Sequence, residues 1–571
     1  MVSLCAFRSR PIQAVQASFC AALLGVGASA FAGEPRSPTG QSEGTSSSRA
    51  FASEVRRAIQ RECGHPDRLS VLIRSVTAAE TLFAHHPDQK RIPASNVKLI
   101  TSAAAMVYLG PDYTFPTDVY AAGPIQEGVL KGDIYLKGYG DSSLVQERMR
   151  ELANGGRLSG IRRISGDLVA DDSFFDEERY GRGWNVGGSL RPYLAPHGAL
   201  SVNFSVVTVY VEPGPEAGSP ARVQLDPPSD TVRLEARVKT GPRQGRIQIH
   251  LGRRQKNGVD WITVDGSIPV DQERARYSAA VSDPARYAAG VFSAFLRQEG
   301  IRLEGRIRRG VTPPEAELVA RQLSPPLGEI IRGLNKFSNN FIAEQVLKTL
   351  GAEVHGLPGT AEKGLLVMRD FLVSLGVPAS SFDLADGSGL SRLNQMTARG
   401  LVTLLENVYN DFRLRPEFTA SLAVLGVDGT VRKRMPASHA ARRVRVKTGM
   451  LGGVHTLSGF AAAENGEILA FSILSNGDAC RPRGVMHGIA RAMTSLDRPL
   501  PEGLKQGLEG ARTTLSRPMP RPAQRDQWRA GGRARNGPVV PMSEAMRMGE
   551  GIVPFHEAEE TPPEGPGREG K

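Results

Sequence analysis

Aromatic residues make up only 6% of this 571-residue chain, and the basic residues behind its net charge of +12 are dispersed along it rather than gathered. Nucleic-acid binding needs basic surface interleaved with stacking rings, so no nucleic acid is expected as a partner. Cysteine is scarce, four in all, and the ten histidines show no zinc-ligand spacing, so no metal or other cofactor is expected. Beyond residue 32 no apolar run is long enough to cross a bilayer. There is no fixed-period repeat, which argues against a solenoid.

What is present is a hydrophobic content of 40% over a length that allows several domains and a sizeable core. The sequence pI of 9.7 suits a polyanionic partner such as a cell-wall polymer or a membrane face. At the N-terminus, Arg8 and Arg10 precede an apolar run over 17–26 and then Ala30-Phe31-Ala32, the small-residue pattern cut by a signal peptidase. Residues 1–32 are therefore expected to be a cleaved signal peptide and the protein periplasmic. Phe19 ahead of Cys20 argues against a lipoprotein signal. Cleavage leaves Cys63 and Cys480 in an oxidising compartment. Cys63 ends the first expected helix just before a strand, and Cys480 follows the last strong strand. If those strands are antiparallel neighbours, the two sulfurs lie at one end of a sheet and pair.

The chain centres on Ile92-Pro93-Ala94-Ser95-Asn96-Val97-Lys98, which opens a run apolar on nearly every side. It contains the only serine placed three residues ahead of a lysine, so both side chains point the same way at the mouth of a buried helix. A serine hydroxyl attacks an acyl carbon only when a neighbouring group takes its proton. Lysine does this when neutral, and moving its pKa from about 10.4 toward 7 takes roughly 4 kcal/mol, which burial and a second cation together could supply.

Residues 33–50 are rich in Gly, Ser and Pro and read as a linker. Phe51, Val55, Ala58 and Ile59 recur at helical spacing, and 69–76 and 81–84 read as a strand pair. Residues 51–111 are thus a first part of a catalytic domain. From 112 to 277 short strands broken by glycine and proline indicate inserted β-rich domains. Helical patterns return over 284–299 and 326–350. Strands at 443–447, 454–462 and 468–475, the last two joined through Asn465-Gly466, complete the catalytic domain over 278–500. Residues 501–571 lack apolar periodicity and are expected to be disordered.

The second cation is sought on a strand that also binds substrate. Lys447-Thr448-Gly449-Met450 offers charge, a hydroxyl and a backbone that a ligand can approach. Ser338-Asn339-Asn340 offers a hydroxyl and an amide before a helix. Two similar stretches compete, Lys239-Thr240-Gly241 and Ser201-Val202-Asn203. An oxyanion hole would use the N–H of Ser95 and the N–H three residues past the strand lysine. After Lys239 that residue is Pro242, which has none, whereas Met450 has one. Ser201-Val202-Asn203 falls in an alternating strand pattern, while Ser338 precedes a helix.

With these three elements in order, the chain resembles the penicillin-recognising serine peptidases, and within them the D-alanyl-D-alanine carboxypeptidase/endopeptidase family of penicillin-binding protein 4 type, peptidase family S13. The long gap between Ser95 and Ser338 singles this family out, because its members carry inserted domains there. Gly138-Tyr139-Gly140-Asp141, Gly166-Asp167, Asp171-Asp172-Ser173 and Asp386-Gly387-Ser388-Gly389-Leu390-Ser391-Arg392 add to the likeness. The resemblance implies an α/β fold of the serine β-lactamase/DD-peptidase type, an antiparallel sheet flanked by helices with a β-rich insertion. It implies acyl-enzyme hydrolysis of peptidoglycan stem peptides, with β-lactams as inhibitors. Ser95 would be the nucleophile and Lys98 its base. Ser338 would relay a proton to the leaving amine, Asn340 would hold the peptide, and Lys447 would keep Lys98 neutral while drawing the substrate carboxylate with Thr448. Asp171 matches an insertion aspartate that meets the diaminopimelate amine, with turn capping as its rival role. Arg392 matches an arginine near the substrate, with a structural salt bridge as the rival. The family usually has Ser or Thr where this chain has Met450, which removes a hydroxyl for the carboxylate. A β-lactamase and a catalytically silent wall-binding scaffold are the alternatives.

Overall fold

The structure is a computed structural model that describes residues 46–477 and 480–500. The expected signal peptide, residues 33–45 of the expected linker and the expected tail lie outside the described residues. Residues 46–50, read above as linker, belong instead to the first helix, Ser46–Glu62, which buries Phe51, Val55, Ala58 and Ile59.

Six antiparallel strands form the central sheet, in the spatial order Glu80–His85, Leu69–Ser75, Ile468–Asn476, Val454–Ala462, Val444–Leu451 and Ala423–Val424. Chain start and chain end meet in its middle, where Leu69 pairs with Ser475 and Ser75 with Leu469. Alternate residues of a strand face opposite ways. Leu69, Val71 and Ile73 therefore join one core, with the first helix and the helix Pro482–Thr494. Leu72 joins the opposite core, built around the apolar helix Val97–Tyr108 and the helices Leu327–Phe337, Asn340–His355, Ala361–Ser374 and Ala398–Asn410. Cys63 and Cys480 are disulfide-bonded at one end of this sheet, with Cα atoms 3.9 Å apart.

The helical pattern over 326–350 is two helices. Ser338 between them adopts φ +59°, a left-handed conformation that costs a non-glycine residue roughly 1–3 kcal/mol. Asn339 then starts the second helix, its side chain accepting the Ile342 N–H.

The inserted block is larger than the sequence suggested. Ile307–Arg309 pairs in parallel with Leu168–Asp171, and Glu317–Leu323 pairs with Pro116–Ala122, both within one five-stranded sheet. The helix Pro284–Gln298 buries its apolar side in the same core, against Leu152, Val207 and Ile262. The insertion thus closes at Leu323 rather than at 277. Periodicity identified that helix but carries no information about which core it serves.

Candidate active site

The serine turn is fixed to the sheet before the helix begins. Thr456 Oγ1 donates to the Pro93 carbonyl at 2.9 Å, and Asn96 Nδ2 donates to Ser458 Oγ at 2.7 Å, both partners lying on the strand Val454–Ala462. Ala94, at φ +46°, turns the chain into a short 3-10 segment, Ala94–Asn96, that leads into the helix. Ser95 is left half-buried at its mouth, while Lys98 is fully buried.

Three groups hold the Lys98 amine. Nζ lies 3.0 Å from Ser95 Oγ, 2.7 Å from Asn340 Oδ1 and 2.6 Å from the Ser388 carbonyl. Its pKa falls from 10.5 to about 7. Burial is the largest cause, and the carboxyls of Asp386 and Glu344 work against it. The sequence reading invoked burial together with a second cation, and burial comes first.

Lys447 Nζ donates to Ser338 Oγ at 2.8 Å and to the Thr448 carbonyl at 2.7 Å. Thr448 Oγ1 shares a 2.8 Å hydrogen bond with Thr430 Oγ1. The strand carrying them lies directly against the serine. A Cβ added at Gly449 would sit 2.9 Å from the Ser95 nitrogen and 2.2 Å from Thr456 Oγ1. Met450 ends this approach with its side chain 61% exposed, in reach of solvent rather than core. Ser95, Lys98, Ser338, Asn340, Lys447, Thr448 and Gly449 are thereby gathered at one place. Arg392 is exposed and donates to the Gly452 carbonyl in the turn just past Met450.

Asp171 does not line the cleft as the resemblance implied. It is fully buried, accepting from Ser173 N–H at 3.0 Å, Ser173 Oγ at 2.6 Å and Thr312 N–H at 2.8 Å, with Lys137 Nζ at 3.5 Å. As the last residue of its strand it folds back to cap the following turn, which leaves no oxygen for a ligand. The two competing stretches also belong to the insertion. Lys239 and Thr240 lie on the strand Val232–Gly241, and Ser201 Oγ is used by the Gly198 carbonyl.

The loop 386–394 contributes further groups, and apart from Arg392 the part of it recognised as a motif in the sequence carried no assigned role. Asp386 accepts from Trp184 Nε1 (2.8 Å), Gly389 N–H (2.7 Å), Ser391 N–H (2.7 Å) and Asn394 Nδ2 (2.8 Å). Thr101, one turn along from Lys98, donates to the Gly387 carbonyl at 2.7 Å. From the insertion, the Tyr193 carbonyl accepts Asn340 Nδ2 at 3.0 Å and so sets which end of that amide faces Lys98. No pattern in the sequence marks a backbone carbonyl as a ligand for a distant amide. Among the described residues, no group of three or more His, Cys, Asp or Glu is placed to hold a metal ion.

An antiparallel sheet between two helical layers, with a serine–lysine turn opening a buried helix, is the fold of the serine β-lactamase/DD-peptidase class. The D-Ala-D-Ala carboxypeptidase 3 (S13) family matches residues 54–496, and the chain belongs to that family. It is a serine-type D-Ala-D-Ala peptidase, a hydrolase. It is 36% identical over 422 residues to a D-alanyl-D-alanine carboxypeptidase of Actinomadura sp. (strain R39), covering 71% of this chain and 77% of that one. It is 28% identical over 395 residues to the D-alanyl-D-alanine carboxypeptidase DacB of Haemophilus influenzae, covering 68% and 80%. The crystal structure of penicillin binding protein 4 from Haemophilus influenzae superposes with a TM-score of 0.66 at 25% identity, covering 76% of this chain and 97% of that one.

Proposed function

We propose that Ser95 is the nucleophile of this peptidase and Lys98 its general base, acting on the D-alanyl carbonyl of peptidoglycan stem peptides. The observation that carries this reading is the 3.0 Å contact between Lys98 Nζ and Ser95 Oγ, made by an amine that burial brings to about 7. Such an amine is largely neutral at physiological pH and takes the serine proton as Oγ bonds to the carbonyl carbon. The oxyanion is met by the N–H groups of Ser95 and Met450. The proton taken by Lys98 is relayed through Ser338, itself bonded to Lys447, to the leaving amine as the C–N bond breaks, and water later hydrolyses the ester and restores the Ser95 hydroxyl. Lys447 and Thr448 draw the substrate carboxylate, Arg392 adds positive charge at the far end of the same strand, and Asn340 holds the peptide.

β-Lactams acylate the same serine, and the protein works in the periplasm after export. Support for a wall substrate comes from the family and its curated relatives. No helix among the described residues is long and apolar enough to cross a membrane. With Met450 in place of a hydroxyl residue, the substrate carboxylate has one contact fewer, and the balance between carboxypeptidase and endopeptidase activity is read by digestion.

Labelling with a fluorescent penicillin tests this directly. Wild type is expected to label, with a rate that rises with pH through about 7 as Lys98 loses its proton, and Ser95→Ala to stay dark. Equal labelling of both removes Ser95 as nucleophile. Acyl-enzyme turnover within seconds would make the protein a β-lactamase, and muropeptide digestion reads carboxypeptidase against endopeptidase activity.

A further inference from the structure

Behind the Lys98 amine lies a second carboxyl that the reaction as written leaves unused. Glu344 is 1% exposed and sits one helical turn past Asn340, on the same face of the helix Asn340–His355. Its side chain accepts the N–H of Ser388 at 2.9 Å and of Gly387 at 3.3 Å. The Ser388 carbonyl in turn accepts Lys98 Nζ at 2.6 Å. Asn340 and Glu344 thus control two of the three contacts of that amine, one directly and one through the backbone.

Asp386 and Glu344 both act on Lys98, but they are treated differently by their surroundings. Four N–H donors surround Asp386. Glu344 has two, the longer at 3.3 Å. Burial and the neighbouring Asp386 charge push its pKa up from the ordinary carboxyl range. The other charges nearby are accounted for. Lys348, on the same helix, is held by Asp176 and the Glu178 carbonyl. His197 is kept well below its ordinary value by burial, with Lys348 and Arg179 adding to it. The helix Ala361–Ser374 buries Gly364, Val367 and Met368, and Leu327–Phe337 buries Ile330, Ile331 and Leu334.

We propose that Glu344 is a positioning residue for the Lys98 amine: it fixes the Gly387–Ser388 peptide whose carbonyl holds that amine against Ser95, and its protonation sets the pH at which the amine is free to act. In its neutral form it leaves Asp386 as the one carboxyl acting on the Lys98 ammonium. When ionised it stabilises the ammonium, so that less of Lys98 is neutral and able to take the Ser95 proton at a given pH. The inference rests on the Ser95–Lys98 reading above.

The test is the pH dependence of penicillin acylation in the full-length protein. Glu344→Gln keeps the side-chain length and one acceptor but removes the charge that favours the Lys98 ammonium. Its acid limb is expected to move to lower pH by about half a unit or more. Glu344→Asp keeps the charge but withdraws the oxygens from the two N–H groups, and is expected to lower the acylation rate about tenfold. A purely structural residue would change thermal stability and leave the limb in place. A Glu344→Gln limb superimposable on wild type overturns the proposal. If Glu344→Gln does not fold, infrared titration of wild type decides. A carboxylic-acid band that persists toward neutral pH and fades with the acid-limb midpoint supports the proposal, and its absence overturns it. Ser95→Ala separates the two levels. Persistent labelling of that variant sinks the nucleophile assignment, whereas a dark Ser95→Ala beside an unmoved Glu344→Gln limb sinks this inference alone.

Discussion

At the scale of single residues, the site depends on backbones that come too close for side chains. Gly389 has φ +77°, and a Cβ there would lie 1.9 Å from the Ala94 carbonyl, immediately before Ser95. Gly389→Ala must therefore move either the loop that supports Lys98 or the turn that carries Ser95. The expected outcome is a loss of about 1–3 kcal/mol in unfolding free energy, together with a drop in penicillin acylation of about tenfold or more. Denaturant unfolding and acylation kinetics of the same preparation measure both. Residues of this kind also mark what was legible in the sequence. Ser95, Lys98, Ser338, Asn340 and Lys447 could be singled out because their side-chain chemistry is explicit in the sequence. Glu344 could not, because an acidic residue four places after Asn340 looks like any helical glutamate until its burial is known. Asp171 misled for the opposite reason: an aspartate before a turn serves a cap as well as a ligand, and the neighbouring Ser173 and Thr312 decide which.

At the scale of elements, the segment between Asp172 and Tyr193 ties the insertion to the catalytic core. Asp172, itself held by Arg179 at 2.6 Å, accepts the Leu200 N–H at 2.7 Å. Gln345 Nε2 donates to the Gly198 carbonyl at 2.8 Å. Between these anchors Trp184 reaches Asp386, so an indole of the insertion helps hold the loop behind Lys98. Trp184→Phe keeps most of the apolar area and deletes this one donor. It is expected to cost about 1–3 kcal/mol by leaving a buried carboxylate short of a partner, and to slow acylation without altering protein expression. Thermal unfolding with parallel penicillin labelling checks it. The sequence carried the elements unevenly. The strands 454–462 and 468–475 were readable from alternation and the Asn-Gly turn, as was the first helix from its spacing. The helices Gln146–Leu158, Ala361–Ser374 and Ala398–Asn410 were not singled out. Asn203, read above within an alternating strand pattern, instead forms with Phe204 and Ser205 a left-handed turn ahead of the strand Val206–Glu212.

At the scale of the whole molecule, the disulfide joins residues 417 apart and closes the catalytic fold around its insertion. Cys63 follows the first helix and Cys480 precedes the helix Pro482–Thr494, and these two helices pack together on one face of the sheet. Replacing both cysteines by serine is expected to cost about 2–5 kcal/mol of stability through the freed unfolded chain. Ser95 sits in the opposite layer, so acylation at low temperature should remain close to wild type; calorimetry and labelling at matched temperatures test the separation. The pairing was legible only as a conditional, because it depended on which strands are neighbours. The extent of the insertion was less legible still, since the pairing of Glu317–Leu323 with Pro116–Ala122 is a long-range contact that no local pattern records.

The placement of Ile468–Asn476 between Leu69–Ser75 and Val454–Ala462 has a consequence for the life of the polypeptide. A copy still being synthesised, threaded through a membrane pore or clipped ahead of its final strands carries the reactive alcohol and its amine but not the surface that orients them. Without Thr456 and Ser458 to fasten the serine turn, such incomplete molecules are expected to stay dark with penicillin until the last hairpin zips into the gap.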